Sequence, residues 1–513
     1  MIIQYSHLWK PIALLTVIFC VTVQPPLAAQ PTLSWEQSYG GTMTEWLGSS
    51  VVSRDGGVIF GSWSASSDGD VGGQGEVFDM WVLKTDKEGQ IQWSRALGGS
   101  DYEEGCFIAE NADGSIWVVG ETSSSDGIAS ESNGNRDILV VKLDQDGEII
   151  YSKTFGGNGA DDISGMVPTA DGGLVFCCSS WSNTGTGDIG VKYGKRDIWL
   201  VKLDAEGGIQ WQKTIGGSEH DSGQLYPAKD KGYWLVANSR SSDGHFPELN
   251  GQSDFWILRL DDLGNIRWKK RLGVPDDLSN VKVSLGEDGS LVTLQQKIGL
   301  ILNDLMRYDD DGMIVEEIKE FPLIDDYQAF WINMEFIEGK GYFFNFIDSV
   351  DQSFIIHTDV DYRVKWKYYF EGSGFRYIYQ VGATGPEELL VTGMKSAKPI
   401  RTSEPDEEID IWAARLDLTT GVADDYFSNA KSLFSIMNPV ASGTQIHIRT
   451  TNVFDVNPVI SIYSMAGDFV LNNAEVMRTG AQELSVSHRL SPGAYVLRID
   501  IGNVTESYVL IVQ

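Results

Sequence analysis

One block of sequence recurs along most of this chain. Its clearest landmark is Trp-x-x-x-apolar-Gly-Gly, at Trp35 to Gly41, Trp93 to Gly99 and Trp211 to Gly217, with Tyr151 leading Gly156-Gly157 and Trp268 leading a single Gly273. Successive copies start 58, 58, 60 and 57 residues apart, and weaker copies follow near Val315 and at Trp366. A second landmark, Asp-Gly before an apolar run, stands at Asp55, Asp113, Asp171 and Asp288, with Asp230-Lys231-Gly232 as a variant. A third, Asp-x-Trp-apolar-apolar-Lys-apolar-Asp, begins at Asp79, Asp137, Asp197 and Asp254, is degraded at Asp304 and Ser353, and returns at Asp410. Each unit thus offers four short β-rich runs divided by Gly and Asp turns. Four antiparallel strands at this period form a propeller blade. A solenoid repeats over a shorter period, and a two-sheet sandwich does not repeat.

Seven third-strand runs predict seven blades. The last, Asp410 to Gly421, has no Trp-ended fourth strand after it, whereas the chain opens with an orphan fourth-type strand, Leu33 to Tyr39. The two halves are expected to pair, which removes the exposed sheet edges. Trp81, Trp199, Trp256 and Trp412 recur at one strand position and are expected to fill the space between blades. Trp93, Trp211, Trp268 and Trp366 are expected to clamp neighbouring blades from the outer strand.

After Gly421 the pattern changes. Residues 422–432 read as a linker, and 433–513 hold alternating runs at Gln445 to Arg449, Val459 to Tyr463, Ala494 to Ile499 and Ser507 to Val512. Short alternating runs over this length suggest a small antiparallel, Ig-like β-sandwich. At the other end, Lys10, the apolar run Pro11 to Val23 and Ala28-Ala29 have the order of an export signal over 1–29. The propeller is assigned to 30–421, and the fold class is all-β.

Acidic residues outnumber basic ones, 72 to 39, for a formal net charge of −33. That balance excludes nucleic acid as a partner, since phosphate binding needs clustered Lys and Arg. No second apolar run is long enough to span a membrane as a helix. Catalytic motifs are missing: there is no Gly-x-Ser-x-Gly elbow, no His pair with metal-ligand spacing, no phosphate loop and no Cys-x-x-Cys. Adjacent Cys177 and Cys178 admit a vicinal disulfide or plain packing in a strand.

The loops between second and third strands combine Asp with Gly. Asp68, Asp70, Asp126, Asp188 and Asp243 are the candidate metal ligands, and calcium is the cation such oxygen donors suit. The competing reading is turn chemistry, in which Asp-Gly simply closes a tight turn. Strand alternation puts these loops and the Gly-Gly loops on one face of the ring, where Asp101, Asp161, Asp162 and Asp221 are expected to complete an acidic rim.

The repeat, with its Trp-x-x-x-apolar-Gly-Gly, Asp-Gly-Gly and Asp-x-Trp-apolar-apolar-Lys elements, resembles that of secreted bacterial propeller proteins carrying type IX sorting tails. The C-terminal segment is similar to the type IX secretion sorting domain. The matching residues are Asn438 and Pro439, Gly467 in Met-Ala-Gly, and Gly493 and Tyr495 in Leu-Ser-Pro-Gly-Ala-Tyr. Met437 stands where that family usually has Pro, and Tyr508 lies where it tends to carry Lys. The resemblance implies the type IX secretion machinery as partner, and a secreted protein or one held at the outer-membrane surface of a Gram-negative bacterium. It implies no chemistry. The expected function is a surface binding or adhesion propeller for a glycan or protein ligand. The alternatives are a propeller enzyme, acting on extracellular polysaccharide or using a quinone cofactor, and a purely structural envelope protein.

Overall fold

The computed structural model describes residues 31–418 except 73–76, 130–131, 248–251, 273–277, 298–302, 320–330, 348–352, 371–374 and 398–408. Beyond 418 it describes the backbone of eight strands. The chain divides into two compact units, Met1–Gly421 and Val422–Gln513. The export signal and the linker lie outside the described residues.

The first strand, β1 (Thr32–Tyr39), stands alone in sequence. Blade 1 follows as β2 (Glu45–Val52), β3 (Val58–Ser64), β4 (Asp79–Thr85) and β5 (Ile91–Leu97). Blade 2 is β6 (Glu103–Glu110), β7 (Ile116–Thr122), β8 (Asp137–Leu143) and β9 (Ile149–Phe155). Blade 3 is β10 (Asp161–Pro168), β11 (Leu174–Ser180), β12 (Asp197–Leu203) and β13 (Ile209–Ile215). Blade 4 is β14 (Asp221–Pro227), β15 (Tyr233–Ser239), β16 (Asp254–Leu260) and β17 (Ile266–Arg271). Blade 5 is β18 (Leu278–Leu285), β19 (Leu291–Lys297), β20 (Asn303–Tyr308) and β21 (Ile314–Ile318). Blade 6 is β22 (Trp331–Ile337), β23 (Gly341–Ile347), β24 (Ser353–Thr358) and β25 (Val364–Tyr369). Blade 7 takes β26 (Phe375–Gly385), β27 (Glu388–Ser396) and β28 (Ile409–Asp417), and its fourth strand is β1.

The closure is as the sequence predicts. β1 runs antiparallel to β28, with Trp35 opposite Arg415 and Tyr39 opposite Ile411. The ring is therefore a seven-bladed propeller of four-stranded blades. The first strands of neighbouring blades touch, as β2 with β6 and β10 with β14, so they line the centre.

The repeated landmarks have distinct physical tasks. Trp81, Trp199 and Trp412 are fully buried, and each joins a cluster shared with the preceding blade. The outer aromatics clamp the following blade. Trp35 Nε1 donates to Lys87 O (3.2 Å), Trp93 Nε1 to Gln145 O (3.0 Å), Tyr151 Oη to Gly207 O (3.0 Å) and Trp268 Nε1 to Asp310 O (2.8 Å). The turn under each ring ends in a glycine with positive φ, Gly89, Gly147, Gly207 and Gly312, where a side chain would run into the ring. The third-strand base pairs with the Asp-Gly turn of its own blade: Lys84 with Asp55 (3.4 Å), Lys202 with Asp171 (2.8 Å), Arg259 with Asp230, and Arg307 with Asp288 (2.7 Å). Burial alone would raise the Asp171 carboxyl, but Lys202 and the Thr169 hydroxyl hold it down at about 2.

The C-terminal unit forms two four-stranded antiparallel sheets. One holds β29 (Phe434–Ile436), β30 (Gln445–Thr450), β34 (Glu483–Ser487) and β33 (Val476–Gly480). The other holds β32 (Phe469–Asn472), β31 (Val459–Ser464), β35 (Gly493–Ile501) and β36 (Val504–Val512). The expected runs all fall in these strands. Gly493 and Tyr495 lie in β35, whereas Asn438, Pro439 and Gly467 lie outside the described residues. Among the described residues no helix is long and apolar enough to cross a membrane.

Candidate functional site

The five candidate metal ligands lie in four separate positions on the ring. Each accepts a backbone N–H from the Gly-Gly loop that enters its own blade. Asp68 Oδ1 takes Thr42 N (2.8 Å), Asp126 Oδ1 takes Ser100 N (2.8 Å), Asp243 Oδ1 takes Ser218 N (2.7 Å), and Asp188 Oδ2 takes Gly156 N (3.3 Å). Asp70 Oδ2 takes Gly40 N (3.2 Å). These carboxylates tie two loops of one blade together, which satisfies N–H groups that no strand would bond. Among the described residues no three His, Cys, Asp or Glu side chains gather as a metal-binding group.

Asp161 and Asp221 do not stand on the rim. They open the innermost strands β10 and β14 and are fully buried, and their carboxylates accept N–H donors from the Gly-Gly loop and hydroxyls from just after the next strand. Cys177 and Cys178 are free thiols. As strand neighbours they point to opposite faces, Cys177 into the packing with blade 4 and Cys178 into that with blade 2. The vicinal disulfide that would suit a quinone cofactor is not formed.

A different group of side chains gathers on the long-loop face over blades 2 to 4. Just before the third strand of blades 1 to 3, a backbone carbonyl accepts the first N–H of the next blade's first strand. Arg136 O accepts Asp161 N (2.8 Å) and Arg196 O accepts Asp221 N (2.7 Å), and Phe78 O accepts Glu103 N (2.7 Å) in the same way. The bridge then continues to the residue after the second strand, as Trp181 N to Ala160 O (2.9 Å) and Arg240 N to His220 O (2.9 Å). This ladder repeats, but the residues on it do not. Phe78 and Tyr102, then Arg136, Ala160 and Trp181, then Arg196, His220 and Arg240 occupy it in turn.

The side chains of Arg136, Arg196, Trp181 and His220 form one network with nearby carboxylates. Arg136 contacts Glu121 (3.0 Å), Asp162 (3.1 Å) and Glu104 (3.7 Å), and Arg196 reaches the other oxygen of Asp162 (3.3 Å). The Arg196 guanidinium lies over the Trp181 ring, and His220 packs on the same ring at 5.0 Å. Trp181 and Tyr102 remain 44% and 47% exposed, large for aromatics held in place from the backbone. Tyr102 borders a cleft of about 410 Å³ lined also by Glu104, Glu121, Ser123, Asn135, Arg136 and Ala160. Burial pushes the Glu121 carboxyl up to about 7; Arg136 opposes the shift, while Asp162 and Glu104 add to it. Apart from Asp162, the sequence patterns miss these residues, because those patterns follow what repeats. The available signal was the reverse: non-repeating residues at a fixed distance from the landmarks.

Residues 438–513 match the family profile described as "Secretion system C-terminal sorting domain". The chain therefore couples a seven-bladed propeller to a type IX sorting domain, and its destination is the outside or the surface of a Gram-negative cell. It is 28% identical over 191 residues to the regulatory protein FlaEY of Caulobacter vibrioides. That match covers 34% of this chain and 20% of FlaEY, so the chain spans about a fifth of that relative's length. Among solved structures, puromycin hydrolase is similar at 11% identity and a TM-score of 0.43, over 92% of this chain and 60% of that one. The PQQ-bound aldose sugar dehydrogenase of Streptomyces coelicolor is similar at 13% identity and a TM-score of 0.35, over 76% and 99%.

Proposed function

We propose that the propeller is a cell-surface or secreted binding module whose ligand, a surface glycan, docks on the long-loop face of blades 2 to 4. The observation that supports this most is the cluster of Trp181, Tyr102, Arg136, Arg196 and His220 on a repeated backbone ladder. An exposed indole beside fixed donors and acceptors is suited to a sugar, which stacks one apolar face and hydrogen-bonds its hydroxyls. The surrounding carboxylates disfavour anionic polymers and leave neutral or amino sugars as the fitting class. A glycan and polypeptide array with the mature chain tests the reading. Trp181→Ala is expected to abolish the array signal with the melting midpoint held, and Arg136→Ala to abolish it with a lowered midpoint, because Glu121 and Asp162 lose their counter-charge. Binding that survives both changes, or a signal on polypeptides alone, overturns it.

A second reading, hydrolysis of the bound glycan, draws on Glu121, whose raised pKa suits a general acid. Release of reducing ends from an array-positive glycan, lost in Glu121→Gln, would establish it.

A further inference from the structure

The buried carboxylates at the blade junctions have more acceptor capacity than the protein fills. At the junction of blades 2 and 3, Asp137 is fully buried. Its Oδ2 accepts Ser132 Oγ (2.7 Å), Asn133 N (2.6 Å) and Gly134 N (3.1 Å), while Oδ1 has no partner. That free oxygen and Asp161 Oδ2 both lie against Gly156, where a side chain would strike both atoms. Asp161 is also fully buried, and its Oδ2 accepts Gly157 N (2.9 Å) and Ser182 Oγ (2.9 Å). The junction of blades 3 and 4 repeats this. Asp197 Oδ2 takes Tyr193 N (2.7 Å) and Gly194 N (3.1 Å), and its partnerless Oδ1 lies against Gly216. Asp221, the first-strand acid of blade 4, is bonded to Gly217 N (2.7 Å), Ser241 Oγ (2.9 Å) and Ser239 Oγ, and its charge acts on Asp197. Asp79 with Glu103 and Asp410 with Glu45 take the same places across Gly98 and Gly40.

Two carboxylates so close, both out of water, cannot both stay ionised without a positive species between them. The next junction shows what the fold does otherwise. There Leu278 takes the first-strand acid's place, and Asp254 is met by Arg271 (3.5 Å). Among the described residues no basic side chain forms an ion pair with Asp137, Asp161, Asp197 or Asp221. Lys192 influences Asp161 and Asp197 only from farther away.

A proton is one candidate for that species. Burial raises the carboxyls of Asp137, Asp161, Asp197 and Asp221 and so favours it, while the N–H and O–H groups aimed at each carboxylate stabilise the charged form and oppose it. The further atoms at hand are hard oxygens. A side chain on Gly134 would meet the carbonyls of Gly157 and Gly159 beside Asp137 Oδ1, and one on Gly194 would meet those of Gly217 and Ser218. Carboxylate and carbonyl oxygens are what calcium takes.

We propose that the junctions of blades 2/3 and 3/4 each hold one calcium ion, bridged by Asp137 with Asp161 and by Asp197 with Asp221. The ions would act as staples between blades, and the rim acids Asp68 and Asp126 would play no part.

The full mature chain is stripped with chelator, dialysed against calcium and examined by elemental analysis and thermal melting. Extracellular calcium modules bind at about 0.1–1 mM, so a titration to about 10 mM covers the range. Retained calcium, a midpoint lowered by chelator and restored by calcium, loss of that response in Asp137→Asn with Asp197→Asn, and its retention in Asp68→Asn with Asp126→Asn support the proposal. A metal-free chain whose midpoint ignores chelator and calcium overturns it. So does a raised midpoint in the Asp137→Asn and Asp197→Asn variants, since an amide there mimics a shared proton. If those variants fail to fold, the response of the unaltered chain decides. Glycan binding is a separate readout, so the failure of either idea leaves the other standing.

Discussion

Replacing Glu36 by Gln tests whether the ring is held shut by charge as well as by strand pairing. Glu36 lies on β1 and reaches across blade 7. Its Oε1 accepts Arg376 Nε (2.9 Å) and Lys395 Nζ (3.0 Å), and its Oε2 accepts Arg376 Nη2 (3.1 Å). The Arg376 side chain is only 5% exposed and that of Glu36 17%. Removing one member of a buried pair costs about 3–5 kcal/mol, because the other charge stays desolvated. Gln keeps one acceptor and Lys395 is better hydrated, so the expected loss is about 2–3 kcal/mol. Burial by itself would raise the Glu36 carboxyl, but Arg376 and Lys395 outweigh it and hold it below its ordinary value of 4.5. A lowered folded pKa contributes stability that is complete above the unfolded value and is lost as pH falls through the folded one. The wild-type and Glu36→Gln chains should therefore differ fully at pH 7 and converge below pH ~4.5. Denaturant unfolding followed by Trp fluorescence across that range reads the difference. Equal midpoints at pH 7, or a gap that persists unchanged into acid, would refute the clasp.

Deleting Leu33 to Gln37 should lower the melting midpoint of the ring sharply, whereas truncation from Leu433 should leave it in place; a scan of both proteins separates the outcomes. Lys231 holds φ at 72° where the equivalent turns carry Gly56, Gly114 and Gly172, so Lys231→Gly should stabilise the chain by about 1 kcal/mol in denaturant titration. Gly147→Ala meets both a φ of 79° and the Trp93 ring, and should cost about 2–4 kcal/mol with a shift in Trp emission. Burial pushes the Cys177 thiol up to about 12. Cys177 and Cys178 should thus ignore a thiol reagent at pH 8 until denaturant is added, and a fast reaction in the folded state would contradict the packing.

The parts of this fold legible in the sequence are those with the same task in every blade. Trp93 and Trp268 clamp, Gly147 and Gly312 make room for the clamp, Asp171 anchors Lys202, and each recurs because each blade meets its neighbour in the same way. The closing strand was readable for the same reason, as a fourth strand without its blade. The sequence could not say which acids are buried. Asp68 and Asp161 both sit near Gly-rich turns, yet Asp68 faces solvent and bonds Thr42, while Asp161 opens an inner strand and is fully covered. The difference lies in blade-to-blade packing, which no local pattern encodes. Nor could spacing show that Arg136, Asp162, Trp181 and Arg196 meet, since they come from two blades and repeat nowhere.

The ring is uneven, and the unevenness bears on where binding can occur. Blades 1 to 4 keep the Gly-Gly loops, the junction acids and the long loops between second and third strands. Blades 5 and 6 join those strands through 298–302 and 348–352 alone. Blade 6 also replaces the clamp glycine with aromatic packing. Tyr362, at a φ of 59°, takes the place of the clamp glycine and stacks on Tyr342 at 4.9 Å, beside Phe344, Phe346 and Phe354. A turn that accepts strain at a bulky residue recovers the cost through buried ring area. The loops between second and third strands are short in that half. Varied, exposed and positionally fixed side chains occur together over blades 2 to 4, where Trp181 and Tyr102 stand. A ligand that reads this face should therefore be sensitive to changes at Trp181, Arg136 and Arg196, and indifferent to changes in the turns of blades 5 and 6 that leave the ring closed.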